Sequence, residues 1–244
     1  MIKAYAKSDI GKMREMNQDY FYISDSLSNV QLYILADGMG GYKGGEIASK
    51  LATMYAKNYI ENNFEQTPKD RESLIQLVGS SMEYANMLVY EKSKEDKELE
   101  GMGTTLEICL IHNNKVYIGH VGDSRIYRIR KDFIRKLTQD HSYVQKLVKD
   151  GTITKEEAET HPKKNMLMKA LGCNAFVEPD VTVKGFLKDD ILLMGSDGLT
   201  NMVNQENLRK IATEDIEQAP KRLIQMANDN GGYDNITVIV IKNI

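Results

Sequence analysis

The sequence predicts an α+β domain built in layers, with sheets that are largely antiparallel. Three observations carry this reading. Short β-rich runs come in clusters, and the helical segments form two adjacent pairs with no regular strand–helix alternation. The third is size: 244 residues with 41% hydrophobic content suit one core-bearing domain spanning residues 1–244.

The elements follow in order. Apolar alternation places strands over 2–6, 20–24 and 30–36. A helix is expected over 45–64, with Ile47, Leu51, Met54, Tyr55 and Tyr59 recurring on one face. A second helix opens where Thr67 can cap, Pro68 suits the first helical position and Asp70 faces the dipole. Its stripe of Leu74, Leu77, Val78, Met82, Ala85 and Val89 reads as core, and the charge run 91–100 as a solvated helix end. Strands over 104–111, 116–121 and 125–129 come next, the first two joined by a hairpin turn at Asn113-Asn114. A polar, helix-leaning stretch covers 140–164, and Thr154 with Glu157 resembles a capping box inside it. Strands over 181–185 and 191–194, a helical pair over 205–212 and 220–228, and a buried strand over 236–241 complete the chain.

Composition excludes several classes of function. The net charge of −3 and a pI near 5.9 argue against a nucleic-acid partner bound through bulk positive charge. No apolar run approaches the roughly 18 residues that cross a bilayer, and residues 1–12 hold no apolar stretch of signal-peptide type. The 2 cysteines, Cys109 and Cys173, form no disulfide framework and no metal clip, and both read as structural. A cytoplasmic, reduced protein that is a monomer and touches no membrane is the expectation.

The acidic residues carry the chemistry. Asp37 follows the apolar run 32–36 and precedes Gly38-Met39-Gly40-Gly41. Asp123 follows the strand 116–121 and Gly122, and Asp197 sits in Gly195-Ser196-Asp197-Gly198. Asp234 lies just before the last strand, and Asp19 opens the strand 20–24. Strand ends can bring such groups together from far along the chain. Packed carboxylates repel unless a cation neutralises them, and oxygen donors without Cys or His select Mg²⁺, Mn²⁺ or Ca²⁺. Asp beside Gly is also a common turn former. From the residues alone, turns and a metal site both stay open.

Arg14-Glu15-Met16-Asn17-Gln18-Asp19, Asp37-Gly38-Met39-Gly40-Gly41, Gly103-Thr104-Thr105, Gly122-Asp123-Ser124-Arg125, Ser196-Asp197-Gly198 and Asp234-Asn235 occur in that order. Together they resemble the metal-dependent protein phosphatase family of the protein phosphatase 2C type, and its compact bacterial members in particular. Asp140-His141-Ser142 and His161-Pro162 extend the likeness. The resemblance implies a four-layer αββα sandwich with a small flap subdomain at about 138–170. It implies hydrolysis of phosphoserine and phosphothreonine in proteins, opposing a bacterial serine/threonine kinase. Two core ions, Mn²⁺ or Mg²⁺, and in some relatives a third, would activate the attacking water. By match to the family's motifs, Asp37 bridges the two ions, the Gly38 carbonyl binds the first, and Asp197 and Asp234 bind the second. Asp19 holds metal-bound water in the outer shell, Asp123 with Asp197 forms the third site, and Arg14 binds phosphate.

Two positions depart from the pattern. Tyr42 stands where the family usually has a His proposed to protonate the leaving alkoxide. A phenol is poorly matched to neutral pH, so Tyr42 as a weak acid, water as the acid, and Tyr42 as a rim residue all stay open. Gln18 stands where many relatives have Glu. His120 reads as a satisfied core histidine, His112 as a strand-end residue, and His141 and His161 as capping or packing residues. Ser124-Arg125 reads as a turn into the next strand. A catalytically silent phosphoprotein-binding module of the same fold is the competing reading, supported only by Tyr42; a nuclease fits the carboxylates but not the charge.

Overall fold

A computed structural model of the chain describes residues 1–39, 44–95 and 97–244. Eleven strands, seven α-helices and one 3-10 turn (Lys97–Leu99) are present among them. The strands are β1 (Ile2–Asp9), β2 (Asp19–Ile23), β3 (Gln31–Met39), β4 (Gly103–Thr104), β5 (Leu106–His112), β6 (Lys115–Val121), β7 (Arg125–Arg130), β8 (Phe133–Lys136), β9 (Asp180–Gly185), β10 (Ile191–Gly195) and β11 (Ile236–Asn243). The helices are α1 (Gly44–Phe64), α2 (Arg71–Glu95), α3 (Tyr143–Lys149), α4 (Lys155–Thr160), α5 (Asp197–Thr200), α6 (Gln205–Glu214) and α7 (Ala219–Asp229).

The strands form two wholly antiparallel sheets, in the orders β1-β11-β10-β7-β8 and β2-β3-β5-β6-β9, with β4 added to β3. Side-chain alternation then makes three cores. Tyr33, Leu35, Ile118, Leu192, Met194 and Ile239 meet between the sheets. Leu32, Ile34, Ile108 and Leu110, on the other face of the second sheet, bury against α1 and α2. Leu193, Val238 and Val240 do the same against α6 and α7. The expected four layers are therefore present.

Several local signals are realised. Asn113 and Asn114 both take positive φ (47° and 57°) and close the β5–β6 hairpin as a left-handed two-residue turn. Thr154 and Glu157 make both hydrogen bonds of a capping box at α4. The whole α2 stripe is buried, each large side chain contributing roughly 1.5–3 kcal/mol relative to exposure.

Other expectations are corrected. The helix α2 begins at Arg71, not beside Thr67, because Asp70 is the cap: its carboxylate accepts from the Ser73 N–H at 3.0 Å, which holds the Asp70 pKa below its ordinary value. Thr67 instead donates to the Asn63 carbonyl at 2.8 Å and closes α1. On α1 the deepest row is Ala48, Ala52, Ala56 and Ile60, one residue round from the expected face. Small residues let the helix lie close to its neighbours, and Ile47, Leu51, Tyr55 and Tyr59 flank that row half-buried. Met54 is exposed. The expected strand over 104–111 breaks at Thr105 into β4 and β5, and β8 and the single turn α5 carry no separate signal in the sequence. Strands β1, β3 and β11 run two or three residues past their apolar runs because pairing continues where hydrophobicity stops.

Candidate active site

The site lies where corresponding ends of the two sheets meet. Strand β3 runs through Asp37 to Met39, so Asp37 lies inside the strand and not after it. Antiparallel register sets it directly opposite Asp19 on β2. Like charges placed so are unfavourable. The second sheet's partner delivers Asp197, the first residue of α5 after β10, and Asp234, in the turn before β11. Asp123 stands in the short turn by which the chain passes from β6 in one sheet to β7 in the other.

Close backbone contacts make the convergence possible. A Cβ on Gly198 would stand 2.1 Å from the Asn235 carbonyl oxygen and 3.2 Å from the Asp234 Cβ, so glycine lets α5 start against the Asp234 turn. A Cβ on Gly38 would stand 2.1 Å from the Gly45 carbonyl oxygen and 2.5 Å from that of Gln18. The start of α1 therefore packs onto the backbone beside Asp37. Ser49 donates to the Gln18 carbonyl at 2.6 Å and fixes the same junction.

The electrostatics are those of a crowded acidic cluster. Burial pushes the Asp37 carboxyl well up, and Asp19, Asp197, Asp123 and Asp234 push it further. Asp19 is raised to about 7, first by burial and then by Asp197 and Asp234. Burial and Asp197 raise Asp123 to about 7, and burial and Asp234 raise Asp197 to about 6. Both buried oxygens of Asp19 lack a hydrogen-bond partner among the described residues. The Ser196 and Thr237 hydroxyls approach and ease its charge, but each is already engaged, Ser196 donating to the Asn235 carbonyl at 3.4 Å and Thr237 paired with Ser8.

Arg14 is the cation at the rim. Its guanidinium donates to Asp234 Oδ2 at 2.7 Å and stays half-exposed, a pairing the sequence did not announce. Asn201 donates to Asp197 Oδ2 at 3.3 Å. Among the described residues, no three acidic, His or Cys side chains form a ready-made ion cage, although the Asp37 and Asp197 carboxyls come within hydrogen-bond reach of each other. The buried orphan oxygens, the tight glycine junction at Gly38 and the all-oxygen donor set nevertheless fit hard divalent cations. Tyr42 lies outside the described residues.

Residues without an assigned role hold the cluster together. The Asn235 amide donates to the Ile10 and Met16 carbonyls, both at 2.9 Å, and accepts the Gln18 N–H. It thereby pins the loop carrying Arg14 to β11. Thr104 and Thr105 both bond the backbone of Asp37. The signal for these residues was their place in the ordered motifs, with no hint of partner.

A cleft of about 1020 Å³ opens from Asp123, Asp197 and Asp234, and its far wall includes Gln145, Lys155 and Lys164. That wall belongs to α3, α4 and the segment after them. Its root is closed by the bridge between Ser142 and Leu167 and by Arg125, which donates twice to Asp140. Arg125 and the buried Ser124 are thus structural, as expected. His112 packs on Phe64, His120 is buried and bonded, His141 bonds Gly122, and His161 accepts the Lys163 N–H.

Known proteins resemble this chain in sequence and fold. The sequence model of the family described as "Protein phosphatase 2C" matches residues 12–236. The protein phosphatase PhpP of Streptococcus pneumoniae is 38% identical over 238 residues, which is 96% of this chain and 95% of that protein. The S. agalactiae serine/threonine phosphatase structure superposes with a TM-score of 0.91 at 36% identity, covering 100% of both chains. The catalytic domain of the phosphatase PstP, solved in complex with two manganese ions, superposes with a TM-score of 0.85 at 33% identity, covering 99% of this chain and 97% of that one.

Proposed function

The chain belongs to the protein phosphatase 2C family and is a metal-dependent serine/threonine protein phosphatase; on that premise we propose which of its residues do the work. Asp37, Asp197 and Asp234, with the Gly38 carbonyl, hold two core cations, Mn²⁺ or Mg²⁺. Asp19 completes the outer shell, and Asp123 with Asp197 takes a third ion. The observation that carries this is the pairing of Asp37 with an Asp19 whose two buried oxygens find no partner. Such a pair calls for more positive charge than Arg14 at the rim and Arg125 beside Asp123 and Asp197 supply.

Bound there, divalent cations lower the pKa of water towards neutrality and screen the charge of a phosphate dianion. The chain's own residues do the rest. Arg14 presents a planar fork beside Asp234 and can hold phosphate oxygens two at a time. Thr104 and Thr105 hold the Asp37 backbone in place. Neither Ser124 nor Cys109 is placed to act as a nucleophile: Ser124 is buried against Thr105, and burial pushes the Cys109 thiol far up. In the hydrolysis a water oxygen bonds to phosphorus as the ester P–O bond breaks, one water proton ends on the released Ser or Thr oxygen, and alcohol and phosphate leave through the cleft.

The segment 138–170 is, in this reading, a flap that selects phosphoproteins. It supplies the cleft wall facing the carboxylates. The phosphoproteins are products of a serine/threonine kinase, since that reaction class makes the bond removed here. A cytoplasmic location is part of the same reading, on the strength of two free thiols. No helix among the described residues is long and apolar enough to cross a membrane.

Two experiments test this. Hydrolysis of an aryl phosphate is expected with Mn²⁺ or Mg²⁺ and to disappear with chelator. A well-folded protein without metal-dependent turnover would instead be a silent binding module. Exchanging residues 140–164 for those of a relative should change kcat/KM among phosphopeptides at least tenfold. It should leave aryl phosphate hydrolysis within about twofold, since that small substrate needs only the cluster; equal loss on both would sink the flap's selective role.

A further inference from the structure

A second polar network lies buried behind Asp37 and reaches it through Thr105; its Glu107 and His120 have no part in the reaction above. Glu107 on β5 and His120 on β6 are partners in register, and the Glu107 side chain is fully buried. His120 Nδ1 lies 3.1 Å from Glu107 Oε1, and Nε2 lies 2.9 Å from the Gln139 carbonyl oxygen. A carbonyl only accepts, so Nε2 carries a proton. The contact between Nδ1 and Glu107 then needs one more. The pair therefore holds a shared proton and is neutral as a unit, whichever atom carries it.

The surroundings agree with that. Burial raises the Glu107 pKa. Burial pulls His120 down, but the hydrogen bond and charge of Glu107 outweigh it and the net shift is upward. The ring of His141 stacks on His120 at 4.6 Å, and Asp140 and Asp123 are the other charged groups nearby.

Two arms leave the pair. On one side Thr105 donates its hydroxyl to Glu107 Oε2 at 3.1 Å and accepts the Asp37 N–H at 3.0 Å. The Thr105 N–H donates back to the Asp37 carbonyl at 2.9 Å. On the other side His120 is anchored to Gln139, and its stacking partner His141 accepts the Gly122 N–H at 3.2 Å and donates its own to the Gly122 carbonyl at 2.7 Å. The network thus runs from the root of the flap to the backbone of Asp37.

We propose that Thr105, Glu107 and His120 are positioning residues: their buried hydrogen-bond chain sets where Asp37 stands, and so sets the affinity of the site for its cations. The inference rests on the reading of Asp37 as a ligand. Outer-shell partners of this kind typically change metal affinity 10- to 100-fold when lost. A neutral unit also explains why a carboxylate can sit unexposed so near an acidic cluster.

Mn²⁺ binding by titration calorimetry on the whole protein tests it, with folding checked by circular dichroism. Thr105→Val, which keeps volume and removes the hydroxyl, should weaken Mn²⁺ roughly 10- to 100-fold. Thr105→Ser should stay within about threefold of the parent. Glu107→Gln should also stay close, because its amide can donate to Nδ1 and its oxygen can accept from Thr105; Glu107→Leu should behave like Thr105→Val. If Glu107→Leu fails to fold, the Thr105 pair decides alone. Parent-like Mn²⁺ affinity in Thr105→Val, or equal weakening in Thr105→Ser, would overturn the proposal while Asp37→Ala still loses binding. Parent-like affinity in Asp37→Ala would overturn the ligand reading and this inference with it.

Discussion

Asp37→Ala is expected to lose turnover on the order of 10³-fold and to lose tight Mn²⁺ binding together with it. Every other acidic group of the cluster raises the proton affinity of this carboxyl, so Asp37 is the side chain on which the cluster's charges converge. Its removal should act oppositely on the metal-free protein. Without cations, a buried carboxylate opposite Asp19 is a repulsive liability, so Asp37→Asn should raise the melting temperature in chelator while abolishing activity. The same charges give a pH dependence whose sign is fixed. Asp19 and Asp123 are raised from 3.8 to about 7, so the folded metal-free chain binds more protons than the unfolded one. Its stability should fall as pH rises from about 4 to about 7. Unfolding by urea at pH 5 and pH 8, with and without Mn²⁺, measures this; greater stability at pH 8 in chelator would refute it.

Gly38→Ala should be nearly as damaging for a different reason. The new methyl would stand 2.1 Å from one backbone oxygen and 2.5 Å from another, and neither can turn aside as a side chain would. The loop at Gln18, the strand β3 and the start of α1 must separate. A cost of about 3 kcal/mol or more follows, with activity lost because Asp37 moves too. Gly185→Ala is the control. Its nearest neighbour would be the Arg130 guanidinium at 3.9 Å, so a change within about 0.5 kcal/mol is expected. Similar urea midpoints for the two variants would show that the Gly38 junction yields easily.

The α2 stripe, the Asn113-Asn114 turn, the capping box at Thr154 and the apolar strands were legible because each depends on neighbours a few residues away. The acidic residues were legible as types at strand ends, and their order resembled a phosphatase. The rotation of α1 was not, because two rows of that helix are apolar. Only contact with α2 and the second sheet selects the alanine row over Ile47, Leu51 and Tyr55. The bond from Arg14 to Asp234 joins residues 220 positions apart, and the chain from Asp37 through Thr105 to Glu107 and His120 crosses three strands. No local pattern records such pairings.

By itself, then, the amino-acid order determined which side chains were available and which short segments would be strand, helix or turn, since these follow from backbone preference and spacing. The tertiary structure alone decided that Asp19 faces Asp37, that Asp197 and Asp234 arrive from the other sheet, and that a neutral buried pair stands behind them. Register and layer packing are set by the burial of whole faces, a sum over distant residues that no single stretch of chain contains.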